Sequence, residues 1–202
     1  MDANFWNDRY SAAGYVYGTA PNEYIAEIAD RIPAGPVLCL AEGEGRNAVF
    51  LAGRGHAVTA VDQSATGLEK AQRLAADHHR ELRTIVADLA TFRIEPNSWA
   101  GIVTTFGHLP RALRREVYGA AARGLMDGGV FALEAYTPAQ LRFNTGGPRD
   151  VDLLMTAEAL RVDLAGLDFE ILRELERDVT EGPTHTGRGA VVQVLARKPK
   201  RV

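Results

Sequence analysis

Within twelve residues the chain sets two glycines, two glutamates, an arginine and an asparagine: Val37-Leu38-Cys39-Leu40-Ala41-Glu42-Gly43-Glu44-Gly45-Arg46-Asn47-Ala48. Glycines at this spacing let backbone N–H groups come close to a bound small molecule, and a helix N-terminus behind them adds unsatisfied donors. The apolar run before the glycines has strand length, and Ala48-Val49-Phe50-Leu51-Ala52 after them is a good helix start. A strand, glycine turn and helix in this order can hold a nucleoside-bearing molecule. The next apolar run, Ala57-Val58-Thr59-Ala60-Val61, ends in Asp62-Gln63, near the position where such folds put a carboxylate on the ribose hydroxyls.

The charges in the loop bear on which cofactor fits. Gly43-x-Gly45-x-x-Ala48 satisfies the dinucleotide fingerprint. Yet Glu42 and Glu44 flank Gly43, where a pyrophosphate would have to approach. A like charge held near 4 Å costs on the order of 4 kcal/mol at an effective dielectric of about 20. S-adenosylmethionine (SAM) carries a cationic sulfonium, an ammonium and no phosphate, so two glutamates suit it. Arg46 could serve its carboxylate.

From Leu38 to Ala48 the chain resembles the first motif of class I SAM-dependent methyltransferases, and Val61-Asp62 resembles their second. Val86-Ala87-Asp88-Leu89 stands where that family has an acidic residue beside the adenine. Gly101-Ile102-Val103-Thr104-Thr105-Phe106 resembles the family's fourth strand, and Gly124-Leu125-Met126-Asp127-Gly128-Gly129-Val130 the glycine turn into its fifth. The opening Trp6-Asn7-Asp8-Arg9-Tyr10, Tyr15-Val16-Tyr17-Gly18 and the ending Leu195-Ala196-Arg197-Lys198 are similar to the tellurite-resistance and thiopurine methyltransferase-like group. Two places depart from the family pattern: Cys39 stands where an acidic residue is usual, and Ala41 where a glycine is usual.

The resemblance implies a Rossmann-like three-layer sandwich around a mostly parallel seven-stranded sheet, order 3-2-1-4-5-7-6, with the seventh strand antiparallel. With the loop reading, it makes Tyr17, Ala41, Glu42, Gly43, Gly45, Arg46, Asn47, Asp62, Gln63, Asp88, Leu89 and Thr105 the candidate cofactor residues. Asp62 could equally cap the next helix, Asn47 could cap or bind, and the two glutamates could be solvated. Phe106-Gly107-His108-Leu109-Pro110 follows the fourth strand, at the carboxyl edge where open α/β sheets bind ligands. The subgroup carries a functional His and Arg before its last strand, and Thr184-His185-Thr186-Gly187-Arg188 lies there. His108, His185 and Arg188 are therefore the candidate catalytic residues, Arg188 to hold an anionic acceptor and a histidine to handle a proton. The N-terminal aromatics could pack or face the sulfonium.

The elements that must position these groups alternate between strand and helix, as a parallel sheet requires. Strands are expected near 37–41, 57–61, 83–87, 100–105, 129–135, 168–177 and 188–197. Helices are expected near 21–31, 45–53, 65–77, 110–124 and 156–164, with Pro110 at a favoured first helical position. The 202 residues suffice for one well-buried domain, with a helical cap over about 1–32 and an insert or lid at about 137–154.

A hydrophobic content of 46% and a net charge of −3 describe an ordinary globular chain without a basic footprint for nucleic acid. One cysteine suits a reducing, cytoplasmic location. No signal peptide, membrane span or metal site is expected. The expected protein is a monomer or homodimer acting on a small molecule. A methyl transfer to a thiol or chalcogen oxyanion needs proximity more than a strong base. A nicotinamide-dependent oxidoreductase and a non-catalytic SAM-binding protein stand as alternatives.

Overall fold

The computed structural model describes residues 2–182 and 185–200. Seven strands form one sheet: β1 (Pro36–Leu40), β2 (Ala57–Asp62), β3 (Arg83–Val86), β4 (Trp99–Thr105), β5 (Leu125–Tyr136), β6 (Asp168–Thr180) and β7 (Thr186–Arg197). Their order is β3-β2-β1-β4-β5-β7-β6. Every neighbouring pair is parallel except those of β7, which runs antiparallel to both β5 and β6. The order and the single reversed strand are those the resemblance implies.

Six α-helices connect or flank the strands: α1 (Ala3–Tyr10), α2 (Glu23–Ile28), α3 (Arg46–Gly53), α4 (Ala65–Asp77), α5 (Arg111–Gly124) and α6 (Ala157–Asp163). Side-chain caps fix several of their starts. Asp2 accepts from the Phe5 N–H, Asn22 from Ile25, Ser64 from Gly67 and Thr156 from Ala159. The cap of α4 is thus Ser64, not Asp62. Pro110 caps α5 from outside, with extended ψ, so the helix begins one residue later than expected.

Alternation within β1 sorts the core into two faces. Leu38 and Leu40 pack with Ile102, Phe131 and Leu133 toward Val117 and Tyr118 of α5 and Leu160 of α6. Val37 and Cys39 pack on the other face with Val58, Ala60 and Val103, toward Ile25 of α2, Leu51 of α3 and Ala71 of α4. Cys39 has no exposure, and burial, then the neighbouring Glu42 carboxyl, pushes its thiol pKa well up. A neutral packing group therefore replaces the usual acid.

Two boundaries differ from expectation for visible reasons. β5 begins at Leu125 rather than 129, because its pairing with β4 skips from Trp99–Leu125 to Gly101–Val130, and Gly128 (φ 79°) absorbs the irregularity. The segment near 137–154 is not structureless. It holds two 3-10 turns, Pro138–Arg142 and Val151–Leu153. No helix among the described residues is long and apolar enough to cross a membrane.

Candidate functional site

The carboxyl ends of β1, β2, β3 and β4 open into a cavity of about 1100 Å³, walled on its other sides by α1, Tyr17, the 146–153 stretch and His185. That volume exceeds the roughly 300–1,000 Å³ usual for one small ligand. Two residues on its rim carry backbone strain. Ala41 and Phe106 both sit at φ 51°, in the left-handed region that L-residues avoid. Such positions cost of order 1–3 kcal/mol each and cluster where a site needs them. Gly107 allows the second bend, since a Cβ there would meet Thr104 Oγ1 at 2.7 Å and the Ala41 methyl at 3.0 Å.

One end of the cavity is acidic. Asp62 is buried at the end of β2. Its Oδ2 accepts from Gly43 N at 2.9 Å and its Oδ1 from Ser64 N at 2.8 Å. Burial raises its pKa, while the amides of Ser64, Gly43 and Gln63 act against that rise. Each carboxylate oxygen keeps lone pairs for further donors. Asp88 lies beyond it, exposed, with Oδ1 accepting from Ala90 N at 2.8 Å. Val86, 58% exposed, joins Gln63, Leu89 and Phe5 along the wall there, giving a flat apolar slot beside two carboxylates.

The glycine loop behaves differently from its sequence reading. Glu42 caps α3, with Oε1 accepting from Asn47 N at 3.0 Å and Ala48 N at 2.8 Å, and burial raises its pKa to about 7. Glu44 accepts from Lys70 Nζ at 2.8 Å and from Val16 N at 2.7 Å. Neither is a solvated charge, and Glu44 is neutralised by Lys70 before any cofactor arrives. Gly45 (φ 89°) faces α4 rather than the cavity: a Cβ would lie 2.4 Å from the Ala71 methyl. Gly43 faces Tyr10, whose hydroxyl would lie 2.5 Å from such a Cβ. Asn47 bridges the Asn22 N–H and Thr105 Oγ1, at 2.9 and 2.8 Å.

The other end is built from rings. His185 packs against Tyr17, Phe106 and Tyr136 with centroids 4.7, 5.1 and 5.5 Å away. His108 stacks on Tyr136 at 5.8 Å. Its Nδ1 lies 2.8 Å from the Leu153 carbonyl, which can only accept, so Nδ1 carries the proton and Nε2 is a bare lone pair. That Nε2, His185 Nδ1 and the Tyr136 hydroxyl are buried without a partner among the described residues. Burial lowers the pKa of His108 to about 4 and of His185 to about 3, helped at His185 by the nearby Arg46 charge. Both rings are neutral at physiological pH.

Arg188 is not brought to the cavity. On β7 it stands opposite Asp178, half exposed, 3.9 Å from that carboxylate and 3.7 Å from Glu176. His185 and Arg188 straddle the hairpin end, and strand alternation directs the arginine away from the cavity. Thr184, the neighbour of His185, lies outside the described residues.

Sequence reading missed a buried ionic network behind the loop. Glu134 of β5, with no exposure, accepts from Arg177 Nε and Nη2 at 2.7 and 2.8 Å and from Asn22 Nδ2 at 2.5 Å. Glu181 accepts from Asn22 Nδ2 at 2.6 Å and from Arg46 Nη2 at 2.5 Å. Arg46 is thereby fixed through one Nη, while its Nη1 is buried at the cavity wall without a partner among the described residues. Arg177 and Glu181 give no motif; their four-residue spacing near a strand end is the only signal.

Residues 37–129 match the family described as a methyltransferase domain. None of the curated proteins compared matches the sequence. Among solved structures, one from work on the conversion of a disulfide bond into a thioacetal group during echinomycin biosynthesis is 19% identical, with TM-score 0.75, covering 99% of this chain and 93% of that one. TehB from Haemophilus influenzae is 19% identical, with TM-score 0.72, covering 97% of this chain and 66% of that one. The N-methyltransferase NodS from Bradyrhizobium japonicum WM9 is 12% identical, with TM-score 0.68, covering 99% and 100%. At these identities the likeness is one of fold.

Over residues 37–129 the chain is similar to a methyltransferase domain, and the whole sheet has the strand order that the resemblance to class I SAM-dependent methyltransferases implies. The lining of the cavity fits the groups of S-adenosyl-L-methionine. The carboxylates lie at one end, the apolar slot of Val86 and Leu89 beside them, and the free Arg46 Nη1 toward the other.

Proposed function

We propose that this protein is a class I SAM-dependent methyltransferase, with S-adenosyl-L-methionine as its cofactor, that acts on a small-molecule acceptor at a soft nucleophilic atom, a thiol or chalcogen. Asp62 would take the ribose hydroxyls, Asp88, Leu89, Val86 and Gln63 the adenine, and Arg46 Nη1 the methionyl carboxylate. The bound cofactor supplies an electrophilic methyl on a sulfonium. The ring-walled end formed by Phe106, His108 and His185 would take the acceptor.

The observation that carries the reading is the lack of a strong base at that end. Among the described residues, Asp2, Glu42, Glu44, Asp62 and Asp88 line the cavity, and each accepts a hydrogen bond from the protein. Glu42, whose pKa burial raises to about 7, is turned to the first amides of α3 and not to the ring-walled end. The two histidines are held neutral with pKa values of about 4 and 3, too low for efficient removal of a proton from an alcohol. A thiol, with a pKa near 8.5, supplies some of its anion at neutral pH. His108 Nε2 can orient its S–H by accepting from it. The stretch from Asn144 to Pro148, held by Gln140 Nε2 through the Thr145 hydroxyl and the Gly146 carbonyl, would form the wall through which the acceptor enters.

A thermal-shift panel with SAM, S-adenosylhomocysteine and NAD(P) tests the cofactor half. A ligand at 100 times its dissociation constant adds about 2.7 kcal/mol. Labelled-methyl turnover on matched thiols, selenols, phenols and amines tests the acceptor half. Turnover confined to phenols or amines would overturn the thiol reading.

A further inference from the structure

We infer that Arg9 of α1 is the anion-holding residue of the acceptor site, and that the acceptor is an organic acid with an apolar body. The inference rests on the acceptor end proposed above and adds the charge and shape of what it takes.

Arg9 lines the cavity and is only half-buried. Its Nε donates to the Tyr17 hydroxyl at 2.8 Å, and its guanidinium carbon lies 5.4 Å from the Tyr17 ring centroid. The same Tyr17 ring packs 4.7 Å from His185, so Arg9 is tied to the ring cluster through one residue. No carboxylate among the described residues pairs with it. The contrast with the other inward arginines is plain: Arg46 has Glu181, Arg114 has Asp163 and Arg177 has Glu134.

A guanidinium with one nitrogen pinned and the remaining fork free offers the planar, bidentate geometry that carboxylates take. Arg46 rises from the glycine loop, is paired with Glu181, and is assigned above to the cofactor's carboxylate. Arg188, expected to hold an anion, is engaged on the outer surface by Glu176 and Asp178. Among the described residues, Arg9 is therefore the cation near His185 that no carboxylate holds. Apolar groups complete the wall, with Phe106, Leu109, Leu113, Pro148 and Leu153 lining the same cavity. An inorganic oxyanion would leave that surface wet; an aromatic or branched acid would cover it.

The test uses the S-adenosylhomocysteine-loaded protein and two probes differing only in charge, 2-mercaptobenzoate and 2-mercaptobenzamide, titrated by calorimetry into wild type, Arg9→Gln and Arg9→Lys. Wild type should bind the acid at least tenfold more tightly than the amide. Arg9→Gln should erase that ratio, and Arg9→Lys should keep part of it, with S-adenosylhomocysteine affinity within twofold in all three. Equal affinity of wild type for acid and amide overturns the proposal. So does a parallel loss of S-adenosylhomocysteine affinity in Arg9→Gln, which would give the guanidinium to the cofactor's carboxylate. Turnover of both thiols is read separately: no methylation of either, with the binding ratio intact, would refute the thiol reading and leave the role of Arg9 standing.

Discussion

The two ends of the cavity are assembled in opposite ways. The end proposed for the cofactor comes from short contiguous stretches, residues 41–47, 62–63 and 86–90, each at the carboxyl end of a parallel strand. Backbone amides do much of its work, holding Asp62, Glu42 and Asp88 in place. The acceptor end takes Arg9 and Tyr17 from the N-terminal region, Phe106 and His108 from the loop after β4, and His185 from the hairpin before β7. Side-chain rings, not amides, shape it. A site built on backbone geometry tolerates change at few positions, whereas one built on rings from distant segments can be reshaped one residue at a time.

The joint between the two ends is the Arg46–Glu181–Asn22–Glu134–Arg177 network, and breaking it should have the largest effect on the fold. Glu134→Ala leaves Arg177 and Asn22 without one of their acceptors in a buried place. It should cost about 3–5 kcal/mol in urea unfolding. A loss below 1 kcal/mol would mean the network contributes little.

Acidification should separate the halves by the sign of their proton binding. His108 and His185 have folded pKa values of about 4 and 3, below the unfolded 6.5. Between those limits the unfolded chain binds protons that the folded one refuses, so stability falls as pH falls, by up to ~1.4 kcal/mol per pH unit for each ring. Glu42 acts in reverse: its folded pKa of about 7 lies above the unfolded 4.5, so its contribution falls as pH rises through that window. His108→Gln should therefore lose less stability than wild type between pH 6 and 4.5. Identical pH dependence of the two proteins would show His108 is not held neutral.

Hydrogen exchange sharpens the contrast in rigidity. Amides of 144–150 should exchange much faster than those of β1 and β4 in the free protein, and slow once S-adenosylhomocysteine and an acceptor are bound. Equal protection in the free state would remove the entry role given to this wall. The smallest effect is expected at Arg188. Its exposed pairs with Glu176 and Asp178 are worth at most about 1 kcal/mol, and Arg188→Ala should leave turnover within twofold.

How much of this the chain announced follows from locality. The strand–loop–helix around Gly43 and Asp62 at the end of β2 are written in runs shorter than fifteen residues, the sheet order follows from the resemblance, and the structure has all three. Non-local pairing escaped. Nothing near Glu44 reveals that Lys70 neutralises it, and nothing near Arg46 reveals Glu181, 135 positions later. His185 and Arg188 were read as one motif, but the hairpin turns one ring inward while the alternation of β7 sends the guanidinium to Glu176 and Asp178. Arg9 was read only as part of an N-terminal resemblance, because its lack of a carboxylate partner is a property of the packed chain.

The claim that one cavity has a separable cofactor end and acceptor end is tested most directly by measuring SAM affinity and methyl-transfer rate side by side in Asp62→Ala and His185→Ala. Asp62→Ala should weaken SAM binding by roughly 1.5–3 kcal/mol through loss of charge-assisted hydrogen bonds. His185→Ala should keep SAM affinity within twofold and lower the rate at saturating SAM by at least tenfold. Equal weakening of SAM binding in both variants, or an unchanged rate in His185→Ala, would contradict the division.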